Sequence, residues 1–162
     1  MERKTQQYES LLPQVKALCE GEEDMIAKMA NVSALLHHEF GFWWTGFYRV
    51  MPEAAPSSSP QPHTSTLILG PFQGPLACVH IGYGKGVCGT AWKEQRTVVV
   101  PDVEQFPGHI ACSSESRSEI VVPVFRNEEV IAVLDIDSRD LNTFDATDAC
   151  YLERLAALLT TD

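Results

Sequence analysis

The sequence predicts an α+β domain, a central antiparallel sheet with the N- and C-terminal helices packed on one face. Three observations carry this. Apolar positions recur at helical spacing near the start (Leu11, Leu12, Val15, Leu18, then Ile26, Met29, Ala30, Leu36) and again near the end (Ala149, Leu152, Ala156, Leu159). Between them lie short stretches rich in aromatic and β-branched residues, bounded by Gly, Pro or polar clusters. STLILG with PLACVHIG, and IVVPVF with VIAVLDID, are each separated by a short turn, so these strands pair as antiparallel hairpins.

Taken in order, residues 1–40 hold two helices, over 6–20 and 23–39, with Gly21 ending the first and Asp24 starting the second. Gly41 closes the second helix, and FWWTGFYRV, from Phe42, reads as a strand. Residues 52–63, PEAAPSSSPQPH, form a Pro/Ser loop with nothing to pack and are expected to be flexible. STLILG and PLACVHIG read as two strands turning at PFQG, where Pro71 and Gly74 suit the bend. GYGKGVCGTAWKEQ is a glycine loop entering a short helix, TVVVP a strand, and DVEQFPGHIACSSES a long surface loop. IVVPVF and VIAVLDID pair as a hairpin about RNEE, and a helix over 143–160, capped by Thr143 or Asp145, closes the chain. The whole of 1–162 reads as one domain.

Charge narrows the function. The 12 Lys and Arg against 22 Asp and Glu leave a net charge of -10, which repels nucleic-acid phosphates and acidic lipid surfaces, so neither is expected as a partner. MERKTQQYES lacks the apolar core of a secretory signal, and no apolar run approaches the ~20 residues of a membrane span. A cytoplasmic location is expected. In that reducing compartment Cys19, Cys78, Cys88, Cys112 and Cys150 are poor candidates for permanent disulfides, and serve as core fillers, metal ligands or redox groups.

Gly84, Gly86 and Gly89 satisfy G-x-G-x-x-G, but no second βαβ unit exists, so the loop is better explained by backbone passing close to another loop. Cys78, His80, Cys88, His109 and Cys112 offer enough donors for zinc but lack the paired short spacing that presets a site; no metal is expected. Cys19 and Cys150 lie in helical patterns and read as filler. Cys112 stands apart: it lies in a loop of serines, and a helical turn starting after it would favour the thiolate. Glu119 follows seven residues later at the entry to an apolar strand, and Asp135 and Asp137 share one face of another. Such carboxylates repel unless a cation compensates them or one stays protonated as an acid; a solvated sheet rim would serve as the plain alternative.

LGPFQGPLACVHIGYGKGVCGTAW, VPDVEQFPGHIAC, SRSEIVVPV and IAVLDIDS, in this order, closely resemble the free methionine-(R)-sulfoxide reductases, a GAF-domain enzyme family. The resemblance runs from about Phe42 to Leu159 and includes three cysteines at the family's spacing. It implies a GAF-like fold, a homodimer, and reduction of free methionine-R-sulfoxide through a sulfenic acid and an intramolecular disulfide. It makes Cys112 the nucleophile and Cys78 the resolving cysteine, with Cys88 near enough to exchange disulfides. Glu119, Asp135 and Asp137 match acidic pocket residues, and Trp44 and Tyr48 an aromatic wall around the methyl sulfoxide. No cofactor is implied beyond an external thiol reductant such as thioredoxin. The chemistry suits these residue types, because a sulfoxide sulfur becomes electrophilic when an acid protonates its oxygen and a thiolate attacks. Ser113, Trp43 and the long 52–63 loop depart from the family pattern. A non-catalytic GAF ligand-binding module is the competing function on the same fold.

Overall fold

A computed structural model of the chain describes residues 2–52, 65–110, 112 and 114–161. Helix α1 (Glu2–Cys19) and α2 (Met25–Phe40) are followed by β1 (Trp44–Pro52), β2 (Ser65–Gln73), β3 (His80–Ile81), α3 (Gly86–Glu94) and β4 (Val98–Val100). A 3-10 turn over Val103–Gln105 leads to β5 (Ser118–Arg126), β6 (Glu129–Ser138) and α4 (Ala146–Leu158). The six strands form one sheet in the order β3-β2-β1-β6-β5-β4, every neighbouring pair antiparallel. Most of the expected Pro/Ser loop, residues 53–63, and Ser113 lie outside the described residues.

The terminal helices share one face of the sheet, as expected. Tyr8, Leu11 and Val15 of α1, Met29, Val32 and Leu36 of α2, and Leu152, Leu155 and Leu159 around α4 pack on Phe47, Ile120, Val122, Leu134 and Ile136. Because side chains alternate along a strand, the residues between these point to the opposite face. There Trp44, Tyr48, Val121 and Val133 meet α3 through Val87, Cys88 and Ala91. The protein therefore has two cores, and the smaller one contains the polar residues of interest.

Local chemistry explains the element ends. Asp24 accepts the Ala27 N–H to start α2, and Gly41, at φ 66°, takes the left-handed conformation that ends it. The β5–β6 hairpin turns on Asn127 and Glu128, both left-handed at φ 49° and 67°, as a two-residue turn matching strand twist requires. Of the two caps expected for α4, Asp145 is the one used. Its carboxylate accepts the Thr147 and Asp148 N–H groups, while Asp148 accepts from the Asp145 N–H in return.

Asp148 also joins the two ends of the chain. It is 1% exposed and accepts from Tyr8 Oη at 2.7 Å and Lys4 Nζ at 2.6 Å. Asp148→Ala would strand a buried hydroxyl and break the capping box together, and is expected to cost about 3 kcal/mol. Thermal unfolding should show this as a Tm lower by roughly 6–12 °C.

Two expectations are corrected. The strand STLILG does not stop at PFQG: β2 continues through Pro71 and Phe72 to Gln73. Pro71 is tolerated because the register against β1 slips between Gly46 and Tyr48, leaving β2 an extra residue at a bulge, where a missing N–H breaks no ladder bond. The bend comes later, at Gly74 (φ 126°) and Pro75, so PLACVHIG is mostly loop and only His80–Ile81 pairs with β2. Cys78 thus sits on a loop and not in a strand. Behind Cys112 the described residues 114–115 form a simple turn, so the condition of a helical turn favouring the thiolate is not met there.

Candidate active site

Three rows of cross-strand neighbours build the floor of the site. Glu119 of β5 lies opposite Asp137 of β6, which lies opposite Trp44 of β1. One step along, Val121 faces Asp135 and Asp135 faces Gly46; a further step pairs Val133 with Tyr48. All point away from the terminal helices. Gly46 has to lack a side chain, since a Cβ there would run into the Cβ of Phe72 and the ring of Trp44. The missing atom lets Phe72 and the Trp44 ring close over β1 at this point.

The glycine loop and the cysteine loop make the walls. Gly89 needs its bare Cα because Gly84 donates its N–H to the Gly89 carbonyl at 3.0 Å and the Gly82 carbonyl lies where a Cβ would go. A Cβ on Gly86 would lie 3.1 Å from the Ile110 side chain, two residues before Cys112. The glycines do allow one loop to pass close to another, and they also deliver Cys88, on the first turn of α3, to the pocket.

The loop carrying Cys78 is tethered by the aromatic wall itself. Trp44 Nε1 donates to the Pro75 carbonyl at 3.0 Å and Tyr48 Oη to the Cys78 carbonyl at 2.9 Å. Trp44 also stacks on Phe72 and Tyr48, with ring centroids 5.2 and 5.9 Å apart. These bonds hold Cys78 where its sulfur forms a disulfide with Cys112, with the two Cα atoms 5.6 Å apart. Cys88 stays a free thiol, 4% exposed.

The result is a small pocket, open at its mouth, on the face of the sheet away from the terminal helices. Its lining includes Trp44, Tyr48, Cys88, Cys112, Glu119, Asp135 and Asp137, and Cys78 closes on Cys112 at its edge. All eight residues singled out from the sequence therefore meet in one place. The solvated-rim alternative fails, since Glu119 is 5% and Asp135 6% exposed.

Burial governs the electrostatics. It pushes Glu119 up to about 8, helped by the charge of Asp137 across the ladder. Asp135 is raised well above the ordinary carboxylate range by burial and then by Glu119, and Asp137 by burial and then by Asp135. Ser116 opposes the shift by hydrogen bonding to the Asp137 carboxylate. Glu119 therefore holds its proton near neutral pH, ready to donate it. The Cys88 thiol is also raised, by burial and by Asp135, which keeps it out of the thiolate form. Asp135 Oδ1 is buried without a hydrogen-bond partner, which fits a group awaiting a ligand.

The five residues weighed as zinc ligands do not converge as a set: Cys78 and Cys112 are bonded to each other, and His80 lies exposed on β3. Among the described residues the donor atoms that do come together, within 4.8 Å, belong to Cys88, Glu119 and Asp135. Sequence reasoning missed Ser116 and Gly46, and weighed His109 only as a metal ligand. His109 lines the pocket with Nε2 3.6 Å from Glu119 Oε2. Its place three residues before Cys112 was the available signal.

A six-stranded antiparallel sheet, with terminal helices on one face and the pocket on the other, defines this protein as a GAF domain, and residues 32–161 match the family described as GAF domain. The chain is 51% identical to GAF domain-containing protein A of Dictyostelium discoideum, over 96% of this chain and 92% of that one. It is 42% identical to the free methionine-R-sulfoxide reductase of Saccharomyces cerevisiae, over 93% of this chain and 82% of the relative. The solved free methionine-R-sulfoxide reductase of Neisseria meningitidis, in complex with its substrate, superposes with a TM-score of 0.86 at 48% identity, covering 97% of this chain and 88% of the other. The chain belongs to the free methionine-R-sulfoxide reductase family.

Proposed function

We propose that this protein reduces free methionine-R-sulfoxide to methionine, with Cys112 as nucleophile, Cys78 as resolving thiol and Glu119 as the acid. The observation that carries the reading is the Cys78–Cys112 disulfide at the mouth of a pocket floored by buried carboxyl groups. Glu119 gives its proton to the sulfoxide oxygen while the Cys112 sulfur attacks the sulfoxide sulfur. The adduct then collapses: the hydroxyl passes from the substrate sulfur to the Cys112 sulfur as the S–O bond and the new S–S bond both break, so methionine leaves and Cys112 is left as a sulfenic acid. The Cys78 thiol then displaces water and forms the disulfide, and an external dithiol returns both cysteines to thiols as it is itself oxidised. The test is to supply free methionine-R-sulfoxide with dithiothreitol and measure methionine. Absence of product would end the proposal.

Trp44 and Tyr48 supply an apolar, π-rich wall for the substrate methyl group, and Asp135 and Asp137 the counter-charge for its α-ammonium. An α-ammonium placed beside these two carboxyl groups favours their charged forms and relieves their mutual repulsion, so a free amine is strongly preferred over an acylated one. N-acetyl-methionine sulfoxide should be a poor substrate. Asp137→Asn should lower kcat/KM for the free amino acid by about 10–100-fold and narrow its advantage over the acetylated compound. An unchanged ratio between the two compounds would assign selectivity to the pocket's shape instead.

The proposal extends to thioredoxin as reductant, a homodimer, a cytoplasmic location and a single functional domain. The family resemblance and the acidic composition support these, and no helix among the described residues is long and apolar enough to cross a membrane. Thioredoxin-coupled NADPH consumption and sedimentation would test the first two.

A further inference from the structure

Glu119 and Asp135, both buried, share the pocket with the half-buried Asp137, and the mechanism requires one of these carboxyl groups to become an anion as it donates. Glu119 is 5% exposed and faces Asp137 and Asp135 from β6, Cys88 from α3 and Tyr48 from β1. None of these welcomes a negative charge. Among the described residues the basic nitrogen within 4.0 Å of the Glu119 carboxyl is His109 Nε2, at 3.6 Å. Lys85, at the entry to α3, lines the same cavity without forming such a contact, and Cys112 lies on the loop of His109 itself.

His109 is placed to bridge buried and bulk protons. Its side chain keeps 16% of its surface exposed against 7% for that of Glu119. The bond from the His109 N–H to the Phe106 carbonyl, 3.2 Å, ties its backbone to the loop after the 3-10 turn. Burial lowers the imidazole below its ordinary range while raising Glu119 to about 8, so near pH 7 the 3.6 Å contact joins two neutral groups and is no ion pair. The separation is just beyond hydrogen-bond range, and catalytic contacts in ligand-free sites commonly tighten when the substrate is bound.

Resting on the reductase reading above, we infer that His109 is the positioning residue that carries the counter-charge for Glu119. It is neutral while Glu119 holds its proton, and takes a proton from solvent as Glu119 passes its own to the sulfoxide oxygen. The ion pair then exists only around the transition state, and collapses when His109 hands that proton to Glu119 for the next cycle. Protons balance: Glu119 loses one to the oxygen and regains one that entered through His109. An interaction made only at that stage acts on the chemical step and leaves substrate affinity alone.

The test is single-turnover release of methionine from the reduced protein, across pH, for wild type, His109→Ala and His109→Gln. His109→Ala should slow release by about 10–100-fold with the substrate dependence unchanged within about twofold, and imidazole in the buffer should recover a large part of the loss. His109→Gln, which keeps an N–H but cannot take a proton, should stay slow and resist rescue. A rate within about twofold of wild type in the alanine variant, a loss expressed in affinity, or a loss that imidazole does not relieve would overturn the inference. A second measurement does not depend on turnover: the His109 ring proton resonance should show an inflection near pH 8, where Glu119 ionises, and Glu119→Gln should remove it. Inflection without any methionine release in wild type would refute the reductase reading and leave the pairing intact; no inflection would refute the pairing.

Discussion

Cys112→Ser is expected to abolish turnover, by a factor of ~10⁴ or more, because a hydroxyl at neutral pH is too weak a nucleophile to replace a thiolate. Reduced wild-type protein given substrate and no reductant should release about one methionine per chain, and acquire the Cys78–Cys112 disulfide. The serine variant should do neither. Cys78→Ser separates the two halves of the cycle: it should release the first methionine and then stall with Cys112 as a sulfenic acid, detectable by mass spectrometry. Cys88 is badly placed to rescue it, being a buried thiol held protonated beside Asp135. Turnover in Cys112→Ser, or a wild-type disulfide mapping to Cys88, would refute these assignments.

Glu119→Gln should lower the chemical step by about 10²–10³-fold with little change in KM, because glutamine keeps the shape but has no proton to give. The wild-type rate should fall as pH rises through about 8, where Glu119 loses its proton, and this limb should vanish in the variant. The same substitution should stabilise the substrate-free protein. Glu119 goes from 4.5 in the unfolded chain to about 8 in the fold, so its favourable contribution is complete below 4.5 and is lost as pH climbs to about 8. Glutamine, neutral throughout, avoids that loss. At pH 8 the variant's Tm should exceed that of wild type by at least ~5 °C, and at pH 4.5 the two should nearly coincide. Equal melting curves at both pH values would show that the buried carboxyl is not held neutral.

Much of the site was legible because its residues follow local rules. Asp135 and Asp137 are two apart on a strand, so any pairing that buries Leu134 and Ile136 against the helices sends both to the other face. Gly41 and Asp24 announce helix ends through backbone conformation and capping, which need only neighbours in sequence. The β2 boundary misled for the same reason: Pro71 and Gly74 look like a turn, and only the paired strand β1 shows that Pro71 falls on a bulge.

His109 and Ser116 were not linked to the carboxyl groups because nothing in their spacing relates them to Glu119 and Asp137; the fold of the loop does. The sequence alone determined the α+β architecture, the face on which each strand residue lies, and the residue types that a sulfoxide reduction needs. Tertiary structure decided which sulfur meets Cys112, how deeply the carboxyl groups are buried, and therefore that their pKa values rise. The division has a physical cause: side-chain direction along a strand is set by the chain's own period, whereas a pKa or a disulfide depends on distances between segments that only packing brings together.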